Sequence, residues 1–268
     1  MMEAWQAFWL GLTQGVTEFI PVSSSGHLEI MREIISANPD NFHHFLEFIN
    51  FGTLLVLLIY YRKRIIEILK DIFVDHDFKL AINIILTCIP VVIAALLLND
   101  LIDNSPFFSS LSVIAIMMAT VGILMINVKR LPKCKKIKNE KELTPKKAIG
   151  IGIAQCFALI PGTSRSGTTI LAGRVAGMDN KSAADYSFLV SIVVMTGVVL
   201  KSLLSSSSRA YIAENWSMLL LSNIVAFIAG MIAIKFVMKY LKKDGSLETF
   251  GWYRVIIAAI VIIFELIK

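Results

Sequence analysis

Six stretches, at 43–61, 80–98, 109–128, 184–204, 217–238 and 251–267, are apolar over nearly the length a helix needs to cross a bilayer. A hydrocarbon core offers backbone amides no water, so a spanning segment must satisfy them internally, as a helix or within a closed barrel. A spanning helix needs about 17–25 residues. The runs therefore predict an all-α polytopic membrane protein with six transmembrane helices. Composition agrees: 56% of the 268 residues are hydrophobic, above the share usual in a soluble domain. The opening Met-Met-Glu carries no basic region and no small-residue cleavage site, so the first segment is expected to stay in the mature chain.

The formal net charge of +6 is spread in a way that excludes a nucleic-acid partner. Basic residues sit in short connections beside apolar runs and form no continuous face. Arg62, Lys63, Arg64 and Lys70 follow the first run, 129–147 holds nine Lys/Arg residues, and Lys235, Lys239, Lys242 and Lys243 close the fifth. Excess positive charge marks cytoplasmic connections. The acidic connection 99–106 and the connection 205–215, with one arginine, are then expected to face outward. Three cysteines, Cys88, Cys134 and Cys156, lack metal-ligand spacing and suggest no disulfide framework.

Two further apolar segments are broken. Residues 4–20 run into Pro21 and a serine cluster before LEIMREII resumes a helical pattern up to a turn at Asn38-Pro39. Residues 148–160 break at Pro161-Gly162 before TTILAGRVAG resumes. Non-helical backbone at membrane depth needs protein or a water-filled cavity around it, so each pair of half-helices reads as a re-entrant hairpin. With six spans and the basic connections inside, the first hairpin has its ends outside and the second has its ends inside. Their tips would meet near the midplane.

The breaks also repeat. GLTQ at 11–14 recurs as GIAQ at 152–155, and Ser23, Ser25 and Gly26 match Ser164, Ser166 and Gly167 at an offset of 141 residues. Pro21 and Pro161 differ by 140, so a one-residue adjustment separates proline from serines. One hairpin plus three spans, twice, in opposite orientations, is an inverted repeat. The expected organisation is a single membrane domain over 1–268, with a first repeat at about 1–128, a basic linker at about 129–147 and a second repeat at about 148–268.

PGTSRSGTT, from Pro161 to Thr169, surrounds an arginine with hydroxyls and glycines just before a helix. Helix N-termini and successive backbone amides attract phosphate oxygens, and a guanidinium adds a bidentate fork. The first break adds reactive groups: Glu18 lies three residues before Pro21, and His27 three residues after Ser24. A hydroxyl beside a carboxylate or imidazole base can act as a nucleophile. Gln14, one turn before Glu18, could orient that carboxylate or help it hold a hydrated metal ion. In the competing reading, the serines and threonines merely cap helices.

QGVTEFIPVSSSGH (14–27) and PGTSRSGTT (161–169) closely resemble the two signature motifs of the undecaprenyl-diphosphate phosphatases, integral membrane enzymes associated with bacitracin resistance. FGTLLVLLIYYRKR from Phe51 and SFLV from Ser187 extend the similarity over nearly the whole chain. The resemblance implies hydrolysis of undecaprenyl diphosphate to the monophosphate carrier reused in peptidoglycan synthesis, at the plasma membrane of a bacterium with the site facing outward. It makes Glu18, Ser24, His27 and Arg165 the catalytic residues, with Ser23 as the partner of the serine pair. Ser25, Gly162, Thr163, Ser164, Ser166, Gly167 and Thr168 join Ser23 as candidates for holding phosphate. Many relatives carry a second glutamate where this chain has Gln14; Asn50 and Val193 are further departures. A divalent cation, magnesium, is expected as cofactor, with Glu18 as its one carboxylate ligand. The partners implied are a polyprenyl diphosphate and the bilayer, with a homodimer among the assemblies left open.

Two mechanisms stay open at this level. Ser24 attacks the terminal phosphorus while His27 or Glu18 takes the proton, or Glu18 activates water and Ser24 only binds phosphate. A different function, a lipid-phosphate transporter or flippase, would use the same broken helices and anion cradle. A carrier has no need of the Glu18, Ser24 and His27 constellation, which favours hydrolysis.

Overall fold

The computed structural model describes residues 2–37, 42–103, 105, 107–108, 110–131, 136–137, 140–243 and 245–267. The expected turn at Asn38-Pro39 and Cys134 lie outside the described residues. Within them the chain is helical and contains no strand. In order come α1 (Ala4–Thr17), α2 (Ser24–Ile34), α3 (Phe42–Tyr60), α4 (Arg62–Phe73), α5 (Lys79–Asp103) and α6 (Leu111–Ile126). They are followed by α7 (Pro145–Cys156), α8 (Arg165–Val175), α9 (Asn180–Leu204), α10 (Ser206–Tyr240) and α11 (Ser246–Ile267).

Five of these, α3, α5, α9, α10 and α11, are long and apolar enough to cross a membrane. The sixth expected run forms α6, which has only 16 residues. The Ser110 side chain accepts from the Val113 amide at its start, and the chain leaves helical geometry at Asn127. At 1.5 Å per residue, α6 spans about 24 Å, less than the roughly 30 Å hydrocarbon core. The basic residues after α3, expected to lie in a short connection, instead begin a helix of their own. In α4, Ile65 and Ile68 pack against the core while Ile66, Leu69 and Phe73 are exposed.

Ion pairs sort the connections onto two faces. Arg64 contacts Glu140 at 2.6 Å, Lys141 contacts Asp71 at 2.7 Å, and Lys129 contacts Glu248 at 2.9 Å. All three basic connections are thus gathered at one end of the bundle. Elsewhere, Ser202 donates to Glu47 at 2.9 Å and Ser208 meets His44 at 3.2 Å, joining the start of α3 to the α9–α10 connection.

The helices interlock. The first broken segment, α1, packs along α10, the second, α7, packs along α5, and α6 packs against α11. Small residues make these crossings close. A Cβ on Gly11 would lie 2.4 Å from the Ser222 carbonyl oxygen of α10, and one on Gly152 would lie 2.4 Å from the Thr87 carbonyl oxygen of α5. The two glycines occupy matching positions of GLTQ and GIAQ, so the sequence repeat reappears as a packing repeat. Between membrane helices, close backbone approach of this kind replaces the hydrophobic drive available in water.

Both breaks use one local design. Ser23 and Ser164 have φ values of 79° and 74°, a region that costs a non-glycine residue about 1–3 kcal/mol. Each is the N-cap of the following helix. Ser23 Oγ accepts from the Gly26 amide at 3.3 Å, and Ser164 Oγ accepts from the Gly167 amide at 3.1 Å. Each also meets the serine two residues on at 3.4 Å.

Arg254 on α11 holds the breaks together. Its side chain is fully buried. It donates to the carbonyl oxygens of Met118 at 3.0 Å, Pro21 at 3.2 Å, Gly162 at 2.8 Å and Thr163 at 3.0 Å. One guanidinium therefore satisfies carbonyls that the two interrupted segments leave without helical partners.

Candidate active site

Glu18 follows the last turn of α1, where its amide still donates to the Gln14 carbonyl at 2.9 Å. Its side chain points between the two breaks. Oε2 accepts from Ser24 Oγ at 2.5 Å and from Gln14 Nε2 at 3.1 Å. Oε1 accepts from Arg165 Nη2 at 2.5 Å. Gln14 Nε2 also donates to Asn50 Oδ1 at 3.1 Å, so α3 steadies the carboxylate from behind. Ser24 and Arg165 are the first residues of α2 and α8, the matching positions of the two repeats.

These side chains line a cavity of about 230 Å³ with walls from both interrupted segments. One wall carries a carboxylate and a hydroxyl, and the other a guanidinium at a helix N-terminus. The hydroxyl is directed at a carboxylate that can take its proton, and the guanidinium beside it can neutralise an anionic group. This set of contacts suits transfer of a phosphoryl group.

The sequence-predicted residues divide by position. Gln14, Glu18, Ser24, Ser25, Ser164 and Arg165 line the cavity. Ser23, Ser166 and Gly167 are buried in the two capping arrangements. Gly162, at φ +89°, presses against the Ile114 backbone, and its carbonyl accepts from Arg254. Thr163 and Thr168 line a different, largely apolar cavity of about 700 Å³ bounded by α6, α7 and α8.

The expected convergence of imidazole and carboxylate is not what the structure has. His27 Nδ1 lies 2.8 Å from the Ser23 carbonyl oxygen, and Nε2 lies 2.9 Å from the Tyr253 hydroxyl. Its ring stacks on Tyr253 with an interplanar angle of 7°. Position 27 is one helical turn from Ser23, so the side chain folds back along α2 toward α11.

Sequence reasoning missed Arg254 and Gln155. Arg254 had a signal: it is the one basic residue between Gly251 and Ile267, and charge at membrane depth is costly. Gln155, 1% exposed, lines the cavity beside Arg165. Its place in GIAQ marked it as a repeat position without indicating where its side chain would point.

Comparison with known proteins fits this arrangement. The family described as bacitracin resistance protein BacA matches residues 7–260, and the chain belongs to that family. It is 37% identical over 267 residues to undecaprenyl-diphosphatase 1 of Clostridioides difficile (strain 630), covering 98% of this chain and 96% of that protein. It is 34% identical over 263 residues to the undecaprenyl-diphosphatase of Fusobacterium nucleatum, covering 95% and 97%. With undecaprenyl-diphosphatase 3 of Acinetobacter baylyi it shares 32% over 262 residues, 97% of each chain.

Proposed function

We infer that this chain is a membrane enzyme that hydrolyses undecaprenyl diphosphate to undecaprenyl phosphate and inorganic phosphate. The product is the lipid carrier used again for peptidoglycan synthesis, and its recycling accounts for the bacitracin resistance in the family's name. Full-length similarity to proteins named for this reaction supports the substrate. The observation that carries the chemistry is the single carboxylate of Glu18 joined at once to the Ser24 hydroxyl and the Arg165 guanidinium.

In this mechanism Arg165 and the amides at the start of α8 hold oxygens of the terminal phosphate. Ser24 Oγ attacks its phosphorus as Glu18 takes the hydroxyl proton. The bond from phosphorus to the bridging oxygen breaks, and the electron pair leaves with undecaprenyl phosphate. Glu18 passes its proton to the leaving undecaprenyl phosphate; water then attacks the phosphoserine, losing a proton to the freed carboxylate. The bond from phosphorus to Ser24 Oγ breaks, and Glu18 returns that proton to Ser24 as phosphate is released. Charge in such transition states spreads over the phosphoryl oxygens, so positioning and electrostatic stabilisation supply most of the rate.

Among the described residues Glu18 is the only carboxylate lining this cavity, which suits magnesium shared with a diphosphate: one carboxylate with the rest from phosphoryl oxygens and water. Glu18, with the carbonyl oxygens of Gln14 and Asn50, would hold it, and it would supply neutralisation of the diphosphate charge. The proposed layout is an inverted repeat of three spans and one re-entrant hairpin in each half. The repeated serine caps and the reciprocal packing of α1 on α10 and α7 on α5 support it. The gathered basic connections support a cytoplasmic assignment for that face, leaving the site open to the outer leaflet of a bacterial plasma membrane.

Phosphate release from undecaprenyl diphosphate by the purified protein in detergent, with and without a chelator, tests this reading. Stoichiometric release of phosphate is expected. Translocation of the lipid in proteoliposomes without phosphate release would overturn it in favour of a carrier.

A further inference from the structure

One polar side chain in the active cavity has no part in the mechanism above. Gln155, in the last turn of α7, is 1% exposed and shares the cavity wall with Arg165. Among the described residues neither its Oε1 nor its Nε2 has a hydrogen-bond partner, and the buried Nε of Arg165 has none either. Buried polar groups are nearly always paired, and leaving them unpaired destabilises the fold.

The repeat shows how Gln155 comes to be unpaired. Its counterpart Gln14 donates to Glu18, four residues further along the helix. Four residues after Gln155 stands Leu159, whose side chain accepts nothing. The first repeat thus keeps the pair of glutamine and carboxylate, and the second keeps only the glutamine. On the first wall the carboxylate and hydroxyl satisfy each other. On the second, the Gln155 amide and the Nε of Arg165 find no partner among the described residues, although Arg165 Nη2 donates to Glu18. A diphosphate headgroup is rich in acceptor oxygens and fits those donors.

We propose that Gln155 binds the diphosphate headgroup directly, its Nε2 donating to a nonbridging phosphoryl oxygen next to one taken by Arg165 Nε. Oε1 accepts from a water hydrating that phosphate. The amide contributes a directed contact without adding charge to a site that already holds Arg165. It also divides the labour between the halves: the first repeat supplies the reacting groups and the second supplies the grip on the phosphates. The identity of the ligand rests on the hydrolase reading; the role of Gln155 as an oxyanion donor rests on its burial and missing partners.

The test combines calorimetric binding of inorganic pyrophosphate, lipid hydrolysis and thermal unfolding of purified wild type, Gln155→Leu and Gln155→Glu. Gln155→Leu should weaken pyrophosphate binding and raise KM for undecaprenyl diphosphate about tenfold, the scale of one hydrogen bond to a charged group, with a smaller change in kcat. Its melting temperature should equal or exceed wild type, because an apolar side chain of similar size replaces an unpaired amide. Gln155→Glu should weaken binding further, about a hundredfold, because it turns a carboxylate toward an anion. A purely structural role predicts the opposite pattern, with a lower melting temperature and an unchanged KM. Pyrophosphate affinity and KM both within about twofold of wild type in Gln155→Leu would overturn the proposal. Wild-type protein that binds pyrophosphate through Gln155 yet releases no phosphate from the lipid would instead overturn the hydrolase reading and leave this one standing.

Discussion

Nη2 of Arg165 lies 2.5 Å from Oε1 of Glu18, across 147 positions of sequence. Each comes from a different interrupted helix, so the pair exists only when the two breaks meet. The Glu18 side chain is 8% exposed and that of Arg165 21%, so neither is freely hydrated. Removing such charges from water is costly without use.

Arg165→Lys should lower kcat/KM by about 10²–10³-fold while keeping the charge, because an ammonium cannot present two donors in one plane to a phosphoryl group. Phosphate release at a series of lipid concentrations measures it. Turnover near wild type would remove Arg165 from the mechanism.

Ser24→Ala separates the two routes to the phosphorus. With a serine nucleophile, hydrolysis falls to near background while binding of the lipid survives, since the binding donors lie on the other wall. A Ser24→Ala enzyme that keeps more than about a tenth of wild-type turnover is incompatible with a phosphoserine. In that case Glu18→Gln should be the more damaging change, as expected for a carboxylate that activates water.

His27 is expected to act by holding the Ser23 carbonyl and not by carrying a proton. His27→Gln should cost about tenfold or less in kcat and leave the shape of the pH–rate profile unchanged. A loss beyond about 10³-fold with an altered acid limb, and no effect of Tyr253→Phe, would return the imidazole to the reaction.

Arg254→Met should destabilise the protein by about 3 kcal/mol or more, because four carbonyls lose their donor at once and each buried unpaired group costs roughly 1–3 kcal/mol. Thermal unfolding in detergent reads this directly. Unfolding at the wild-type temperature would show that other donors can replace the guanidinium.

Topology can be read by labelling intact cells with a membrane-impermeant thiol reagent in a background without Cys88, Cys134 and Cys156. A cysteine at Ser105 is expected to react from outside, and one at Lys141 to react only after permeabilisation. The reverse pattern would invert the assignment of faces.

Much of this protein is local and therefore legible in its sequence. Apolar runs, breaks at Pro21 and Pro161, and serine caps depend on residues a few positions apart, and the bilayer leaves such runs few folds other than helices. The motifs also singled out Glu18, Ser24 and Arg165, which the structure brings together in one cavity. The 16-residue length of α6 and the helical state of α4 were less legible, since hydropathy marks an apolar stretch without marking where capping ends it.

Tertiary structure decided which polar groups meet. His27 stands three residues from Ser24, yet its nitrogens go to Ser23 and Tyr253, because rotation about α2 sends its ring toward α11. Arg254, on the last helix, reaches both breaks, and no spacing along the chain encodes that reach. Gln14 and Gln155 look alike in the repeat, yet one finds a carboxylate and the other none. Sequence determined the segments and their chemistry through short-range propensity and the solvent properties of the bilayer. Partnership was left to packing, because a hydrogen bond depends on ångström distances and directions that arise only when distant helices close on one another.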